Sequence, residues 1–395
     1  PHKEWPAGRD KKLSPNDATV RANGGVMGAY NGWERANWFA KDGDDNSEES
    51  TQTWDRAGPW AVRIKEEVEV VRDGVGVLDL PGFTRFALSG AGAAEYLRGR
   101  ITGALPKVGR MNLAYFADSR GRILTEMSIL RHGEDEFTLI TAATAQWHDF
   151  DVLNDGLPEG LNLSDRTTEM SALIVSGPKS RALFEQIGTD ADLSASWLSI
   201  QQATVAGVKC MLARVSFAGE LGWEIHADMA DISALYAAVT GAGATPFGMY
   251  ALNSMRIEKG YRAWKGDLST DYTLLEAGLE RWVKLDKPQD FRGKAALAAQ
   301  AEEGVKKRFV TMIVEAGDQD APYMSTVYHN GEVVGETTSG DWGYRVGASI
   351  ALGTVRADLA VEDTELEINI FGRMCKAVVQ KDAPLWDPEN ERLRA

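Results

Sequence analysis

The alternation of apolar and polar residues is plainest between 113 and 143, in "LAYFADSRGRILTEMSILRHGEDEFTLITAA". Three runs rich in aromatic and branched residues are separated by turn signals at Asp118-Ser119-Arg120-Gly121 and His132-Gly133-Glu134-Asp135. That pattern predicts an antiparallel meander. Upstream, "WAVRIKEEVEVVRDGVGVLDL" (60–80) reads as a helix that breaks at Gly74 and passes into a buried strand. "FTRFALSG" (83–90) alternates as a strand, and "AAEYLRGRI" (93–101) reads as a short helix. Residues 171–188 predict strand, Gly-Pro turn and helix; 209–227 predict a hairpin turning around Gly219 to Gly222; 232–244 predict a helix. From about 306 onward every run is a short strand with Gly turns, which predicts a small all-β barrel or sandwich. Residues 1 to about 56 read as an irregular arm. Its aromatic part, "AYNGWERANWFA" (29–40), has to dock on something, and the acidic "KDGDDNSEEST" (41–51) is a solvated loop.

Composition narrows the class. The 395 residues, 44% hydrophobic and 26% charged, suffice for two or three domains of ordinary globular type. No run approaches the roughly 20 apolar residues of a membrane helix, and "PHKEWPAGRDKK" lacks the apolar centre of a secretory signal. The chain does not begin with Met, so a processed subunit or an excised piece is expected. Two isolated cysteines, Cys210 and Cys375, exclude a disulfide framework or zinc cluster and suggest a reducing, cytoplasmic setting. Net charge of −15 argues against a nucleic-acid partner, whose phosphates require clustered Lys and Arg. An anionic small ligand would need a local basic pocket.

Several motifs fail. "GAGAAE" (90–95) resembles a dinucleotide fingerprint only loosely, because the strand before it alternates where that motif needs a wholly apolar one. There is no Walker loop and no HExxH. The five histidines form no ligand spacing. Ser254 lacks the flanking glycines of a nucleophile elbow.

The chemistry concentrates in "ALNSMRIEKGYRAWKGDLSTDYT" (251–273). Residues 251–261 predict a helix with Leu252 and Met255 on its apolar side and Gly260 as its stop. Arg256 and Glu258 lie on different sides, so they do not pair with each other. Arg256 is either a planar donor fork at a pocket edge or a solvated charge on a helix face. Nine Lys and Arg fall between Arg256 and Lys294, against seven acids: a landing place for an anionic tail, or surface charge balance.

The block "YALNSMRIEKGYRAWKGDLSTDYTLLEAGLERWVKLDKPQDFRGKAAL" (250–297) resembles the aminomethyltransferase (glycine cleavage T-protein) superfamily. The resemblance is strongest to the C-terminal, folate-binding halves of dimethylglycine and sarcosine dehydrogenases. "EWPAGR" (4–9), "GWERANWFA" (32–40), "GVLDLPGFTRFALSGAGAAEYL" (76–97), "SGPKSRALF" (176–184), "FAGELGWEIHAD" (217–228) and "GYRVGASIALGTV" (343–355) agree in order, so it covers nearly the whole chain. It implies an α+β fold, a three-lobed cloverleaf with a C-terminal antiparallel β barrel around a central tetrahydrofolate site. The implied division is an arm at 1–56, a two-lobed folate-binding region at 57–300 and the barrel at 301–395.

The same resemblance implies site residues. Glu224 in "GWEI" matches the carboxylate that anchors the pterin ring, with Glu220 as the fallback, and an acceptor-only carboxylate suits ring N–H donors. Arg256 matches the arginine of the family's "LRLE"-type helix. Tyr115, Trp282 and Tyr250 fall near cofactor-lining positions; as isolated aromatics each reads equally as core. The family's catalytic aspartate, in "GGxxDDL", is replaced in "GRILTEM" (121–127) by Glu126, which keeps the charge on a longer arm, so Glu126 is the catalytic candidate and a surface strand glutamate its alternative. The implied function is capture of formaldehyde or an iminium from an N-methylated amine as 5,10-methylenetetrahydrofolate. The implied partner is a covalent or associated oxidoreductase or demethylase domain, which alone would carry FAD. The alternatives are a standalone folate-dependent methyltransferase or demethylase forming 5-methyltetrahydrofolate, and a folate-binding subunit without chemistry.

Overall fold

The computed structural model describes residues 5–51 and 53–395. Residues 1–4 and 52 of the expected arm lie outside them. The rest of that arm is not irregular. A helix at Asp17–Ala22 leads into a hairpin, β1 (Gly25–Tyr30) and β2 (Trp33–Phe39), because Trp33 and Trp38 are both buried and a docked ribbon satisfies the backbone around them. Trp38 packs beneath the helix Pro59–Asp73, whose apolar stripe Ala61, Ile64, Val68 and Val71 recurs at helical spacing. Proline at its first position and Gly74 at its end set the limits.

Two sheets then face each other. The six-stranded sheet comprises β3 (Gly76–Asp79), β9 (Met170–Ser176), β10 (Ile200–Val205), β11 (Val208–Ala213), β12 (Gly222–Asp228) and the two-residue β13 (Thr245–Pro246), in the order β10-β11-β12-β9-β3-β13. The five-stranded sheet comprises β4 (Thr84–Ser89), β5 (Arg110–Ala117), β6 (Ile123–Gly133), β7 (Glu136–Thr141) and β8 (Asn162–Asp165), in the order β5-β6-β7-β4-β8. Side chains alternate between the faces of a strand, so each sheet sorts its residues by parity. On the first, Val77, Leu173, Val175, Leu212, Trp223 and Ile225 pack against the helices Ser180–Ile187 and Ile232–Gly241. On the second, Phe86, Leu88, Ala114, Phe116, Met127 and Ile129 cover the helix Ala93–Arg100. The opposite parities meet between the sheets, where Met111, Leu130 and Ile140 touch Ile200, Met211 and Ala213.

The helix Ala93–Arg100 does not await a phosphate. Asp135 accepts from the backbone N–H groups of Gly92 (3.1 Å) and Ala94 (2.8 Å), and a carboxylate is what a helix N-terminus favours.

The C-terminal lobe is a closed antiparallel barrel of β14 (Lys307–Val314), β15 (Thr326–His329), β16 (Glu332–Gly343), β17 (Ala348–Arg356), β18 (Glu365–Ile370) and β19 (Arg373–Val379), in the order β14-β17-β16-β15-β18-β19. Closure removes the sheet edges. Its filling includes Met312, Val327, Ala351, Val355, Ile368 and Ala377. Among the described residues no helix is long and apolar enough to cross a membrane.

The helix Met249–Glu258 joins the lobes. It ends where Gly260 takes a positive φ of 63°. Ala251, Leu252 and Met255 pack with the helix Pro59–Asp73 through Val68 and Val71, while Ile257 packs against Phe309, Ile350 and Leu352 of the barrel. Its last residue, Glu258, forms a fully buried ion pair with Arg345 of the β16–β17 turn and also accepts the Arg345 backbone N–H at 2.6 Å. Arg345 in turn donates to Glu220 (2.8 Å) and to the Met255 carbonyl (2.8 Å). Glu220 also takes Arg392 (2.7 Å) and the Trp386 indole N–H (2.9 Å) from the C-terminal segment. Removing one partner of a buried ion pair strands the other charge. Glu258→Ala is therefore expected to lower the unfolding free energy by about 3–5 kcal/mol, read as a lower urea midpoint. A midpoint equal to the wild type would contradict this role.

Candidate functional site

Tyr115 of β5 and Glu126 of β6 are cross-strand partners, and their parity turns both away from the Phe116–Met127 core. Tyr115 is buried; its ring meets that of Trp282 edge-on, centroids 5.5 Å apart at 73°. The Trp282 backbone is fixed in turn, since its carbonyl accepts from Thr102 Oγ1 at 2.9 Å. Glu126 is half-buried, and burial pushes its carboxyl up to about 7, against the Tyr115 hydroxyl and the Arg262 charge that favour the carboxylate. It is no solvated strand glutamate. Tyr115 is also raised well above the usual phenol value, by burial first and then by the Glu126 charge.

Two arginines act on this pair. The Arg262 guanidinium lies 4.2 Å from the Phe309 ring centroid, and that of Arg281 lies 3.7 Å from the Trp282 centroid. Both are held below the ordinary arginine value by burial. Arg262 Nε is buried without a hydrogen-bond partner. Tyr261, beside Arg262 in sequence, stacks on Phe217 at 5.6 Å and 21°. Phe217 belongs to the loop between β11 and β12, so the stack brings the first sheet's lobe to the residues that follow the joining helix.

Glu224 sits on β12 opposite Ala213 and Ile174. Ala213 belongs to the layer between the sheets, so Glu224 and the residue two places on, His226, share the face turned to the second sheet. Glu224 Oε2 and His226 Nε2 are 2.9 Å apart. Arg85 faces them from β4, on the same face of its sheet as Glu126 and two ladder steps away, roughly 10 Å in the hydrogen-bonding direction.

Of the six expected site residues, Tyr115, Glu126 and Trp282 stand together, and Glu224 lies on the facing sheet. Arg256 requires a correction. It is buried, ion-paired to Asp267, and donates to Asn253 Oδ1 (2.9 Å), the Tyr261 carbonyl (3.0 Å) and Ser339 Oγ (2.9 Å). Neither a pocket-edge fork nor a solvated charge, it braces the helix against β16 and the 261–267 turn. Tyr250 also sits elsewhere: it is exposed at the start of the joining helix, edge-on to Trp60 at 6.4 Å. The fallback Glu220 has both oxygens engaged by Arg345, Trp386 and Arg392. Sequence reasoning passed over Arg262, Arg281, Phe217, Arg85 and His226. For His226 a signal was present, since strand parity places it beside Glu224.

Comparisons with known proteins agree with this architecture. The family model for the GCVT N-terminal domain matches residues 17–287, and that for the glycine cleavage T-protein C-terminal barrel domain matches residues 307–387. The chain is 33% identical over 379 residues to mitochondrial dimethylglycine dehydrogenase of Mus musculus, covering 93% of this chain but 43% of that enzyme, so it spans less than half of this relative's length. It is 30% identical over 321 residues to the aminomethyltransferase of Listeria innocua, covering 80% of this chain and 88% of the relative. The solved glycine cleavage system aminomethyltransferase T from Bartonella henselae superposes with a TM-score of 0.82 at 22% identity, covering 95% of this chain and 98% of that one, a likeness of fold. With the two family domains in register over both lobes and the barrel, the chain belongs to the glycine cleavage T-protein, or aminomethyltransferase, family.

Proposed function

We propose that this chain is a tetrahydrofolate-dependent one-carbon transferase module. It takes up formaldehyde, or the equivalent iminium, released when an N-methylated amine is demethylated by an oxidoreductase domain that would carry any FAD. The observation that supports this reading is the pairing of a buried Tyr115 and half-buried Glu126 on one sheet with an acceptor carboxylate, Glu224, on the sheet facing it.

The residues fit the ligand class. A pterin ring presents N–H donors, and Glu224 is an acceptor whose one protein hydrogen bond among the described residues, to His226, engages Oε2 and leaves Oε1 available. Phe217, Tyr261, Trp282 and Tyr115 are flat walls. Arg262, half-buried, and Arg281, exposed, have no ion pair among the described residues and suit an anionic tail. Bound there, tetrahydrofolate supplies two nucleophilic nitrogens, N5 and N10. The chain's residues hold the reactants together and exclude water, which removes much of the entropic barrier.

Glu126 has the proton-handling role. When formaldehyde joins to two nitrogens, its oxygen leaves as water that carries the equivalent of the two protons the nitrogens give up, so the oxygen has to be protonated as it departs; a departing amine likewise needs a proton. A carboxyl raised to about 7 is protonated in a useful fraction at neutral pH and supplies that proton from its Oε atom. Tyr115 Oη, hydrogen-bonded to the carboxylate once the proton has gone, steadies the resulting charge.

Product analysis tests the reading. Incubation with tetrahydrofolate and formaldehyde is expected to form 5,10-methylenetetrahydrofolate faster than the spontaneous reaction. No acceleration together with tight folate binding would indicate a binding subunit, and 5-methyltetrahydrofolate formed from a methyl donor would indicate a standalone methyltransferase.

Glu126→Gln is expected to slow the accelerated step by about 10²–10⁴-fold while leaving tetrahydrofolate affinity in place. In the wild type the rate should fall as pH rises through about 7, where Glu126 loses its proton, and the variant should lack that limb. Stability should fall with rising pH as well. The raised carboxyl holds its proton in the folded state between 4.5 and about 7, so native stability declines as pH rises across that window. Glu126→Gln should therefore be more stable than the wild type at about pH 8, with the gap closing near pH 4.5. Equal melting temperatures at both pH values would contradict the raised carboxyl.

A further inference from the structure

Three polar side chains meet between the sheets at the Glu224 end, and their hydrogen bonding is incomplete in a complementary way. His226 is 2% exposed, and its Nε2 lies 2.9 Å from Glu224 Oε2. Its Nδ1 is buried without a partner. Arg85 reaches in from the opposite sheet, 1% exposed, and its Nη1 donates to the carbonyls of Phe83 (2.7 Å) and Met170 (3.3 Å). Its Nε and Nη2 are buried without partners. Buried polar atoms in native proteins nearly always find a partner, in protein or in ordered water. The Arg85 charge lies within electrostatic range of the His226 ring, so these unpartnered atoms belong to one polar region between the sheets.

The charges around His226 set its form. Glu224, on its own strand, favours the imidazolium. Arg85 on β4 opposes it, and His132 on β6, which hydrogen-bonds Thr138 Oγ1 at 2.9 Å and feels Glu136 of β7, lies within electrostatic range. Burial is the largest influence and holds the imidazole below its ordinary value, so the ring is neutral at physiological pH. A neutral ring has one N–H. A carboxylate partner at Nε2 places it there and leaves Nδ1 as the acceptor.

We propose that His226 is a positioning residue for Glu224: its Nε2–H holds Oε2, and Oε1 alone is presented as the acceptor for a ring N–H. The identity of that ring as a pterin rests on the folate reading above; the tautomer and the fixed carboxylate do not.

Two measurements test it. In protein labelled with ¹⁵N-histidine, His226 is expected to show the neutral Nε2–H tautomer between about pH 6 and 8. An Nδ1–H tautomer, or an imidazolium at neutral pH, would overturn the proposal whether or not folate binds. Calorimetric titration with tetrahydrofolate then compares wild type, His226→Leu and His226→Gln. The leucine variant is expected to bind about ten- to a hundredfold more weakly, the loss of one charge-assisted hydrogen bond. Glutamine, whose amide N–H reaches the Nε2 position, should restore the affinity, which a merely packed side chain would not do. Leucine binding as well as wild type, or a folded glutamine variant as weak as leucine, would overturn the proposal while wild-type binding keeps the folate reading. A wild type that binds no tetrahydrofolate removes that reading, and the tautomer still decides the role of His226.

Discussion

The arrangement depends on Arg345. Its guanidinium is fully buried at the point where the barrel, the joining helix and the β11–β12 loop converge, and it satisfies acceptors from all of them: Glu258, the Met255 carbonyl, the Ala218 carbonyl and Glu220. Such a network adds little net stability, because desolvation offsets most of the Coulomb attraction. Its effect is geometric. An apolar junction would tolerate sliding, whereas a planar donor fork meeting two carboxylates accepts one alignment. Glu220 lies just before β12, so the same contact that docks the barrel also fixes where the strand carrying Glu224 and His226 begins.

With the lobes fixed, the space between the two sheets can hold groups that an ordinary sandwich core would exclude. Burial keeps Glu126 protonated to a higher pH than a free glutamate, and keeps His226 neutral to a lower pH than a free histidine. Arg262 and Arg281 are cations drawn partly out of solvent, each against an aromatic face. These groups reduce stability where they stand, and functional sites are where such departures from packing rules are expected. The apolar layer of Met111, Leu130, Ile140, Met211 and Ala213 beside them supplies the cohesion.

The sequence made the regular parts legible because their hydrophobic period is local. The meander, the helix ending at Gly74 and the all-β character of the last lobe follow from spacing and turn residues within a few positions, whereas closure of the barrel rests on the pairing of β14 with β19. The hairpin at 25–39 did not, because its strands form around Trp33 and Trp38, whose burial is created by a helix and lobe distant in sequence. At the site, Glu126 and Tyr115 were named separately through the family resemblance, and only the β5–β6 ladder shows them as cross-strand partners. Arg256 was misjudged for a physical reason: whether a helical arginine is available depends on acceptors such as Asp267 and Ser339, which lie 11 and 83 residues away. Arg262, in the same basic stretch, is the one that faces the Tyr115–Glu126 pair.

The central claim is that the space bounded by Tyr115, Glu126, Trp282, Arg262 and Glu224 holds a reduced folate. A crystal structure of the chain grown with tetrahydrofolate tests it most directly. The account predicts pterin density within hydrogen-bond distance of Glu224 Oε1, the reactive nitrogens on the Glu126 side, and Arg256 unmoved in its contacts with Asp267 and Ser339. Folate bound at another surface, or a ligand that displaces Arg256 from those contacts to bind it, would contradict the account.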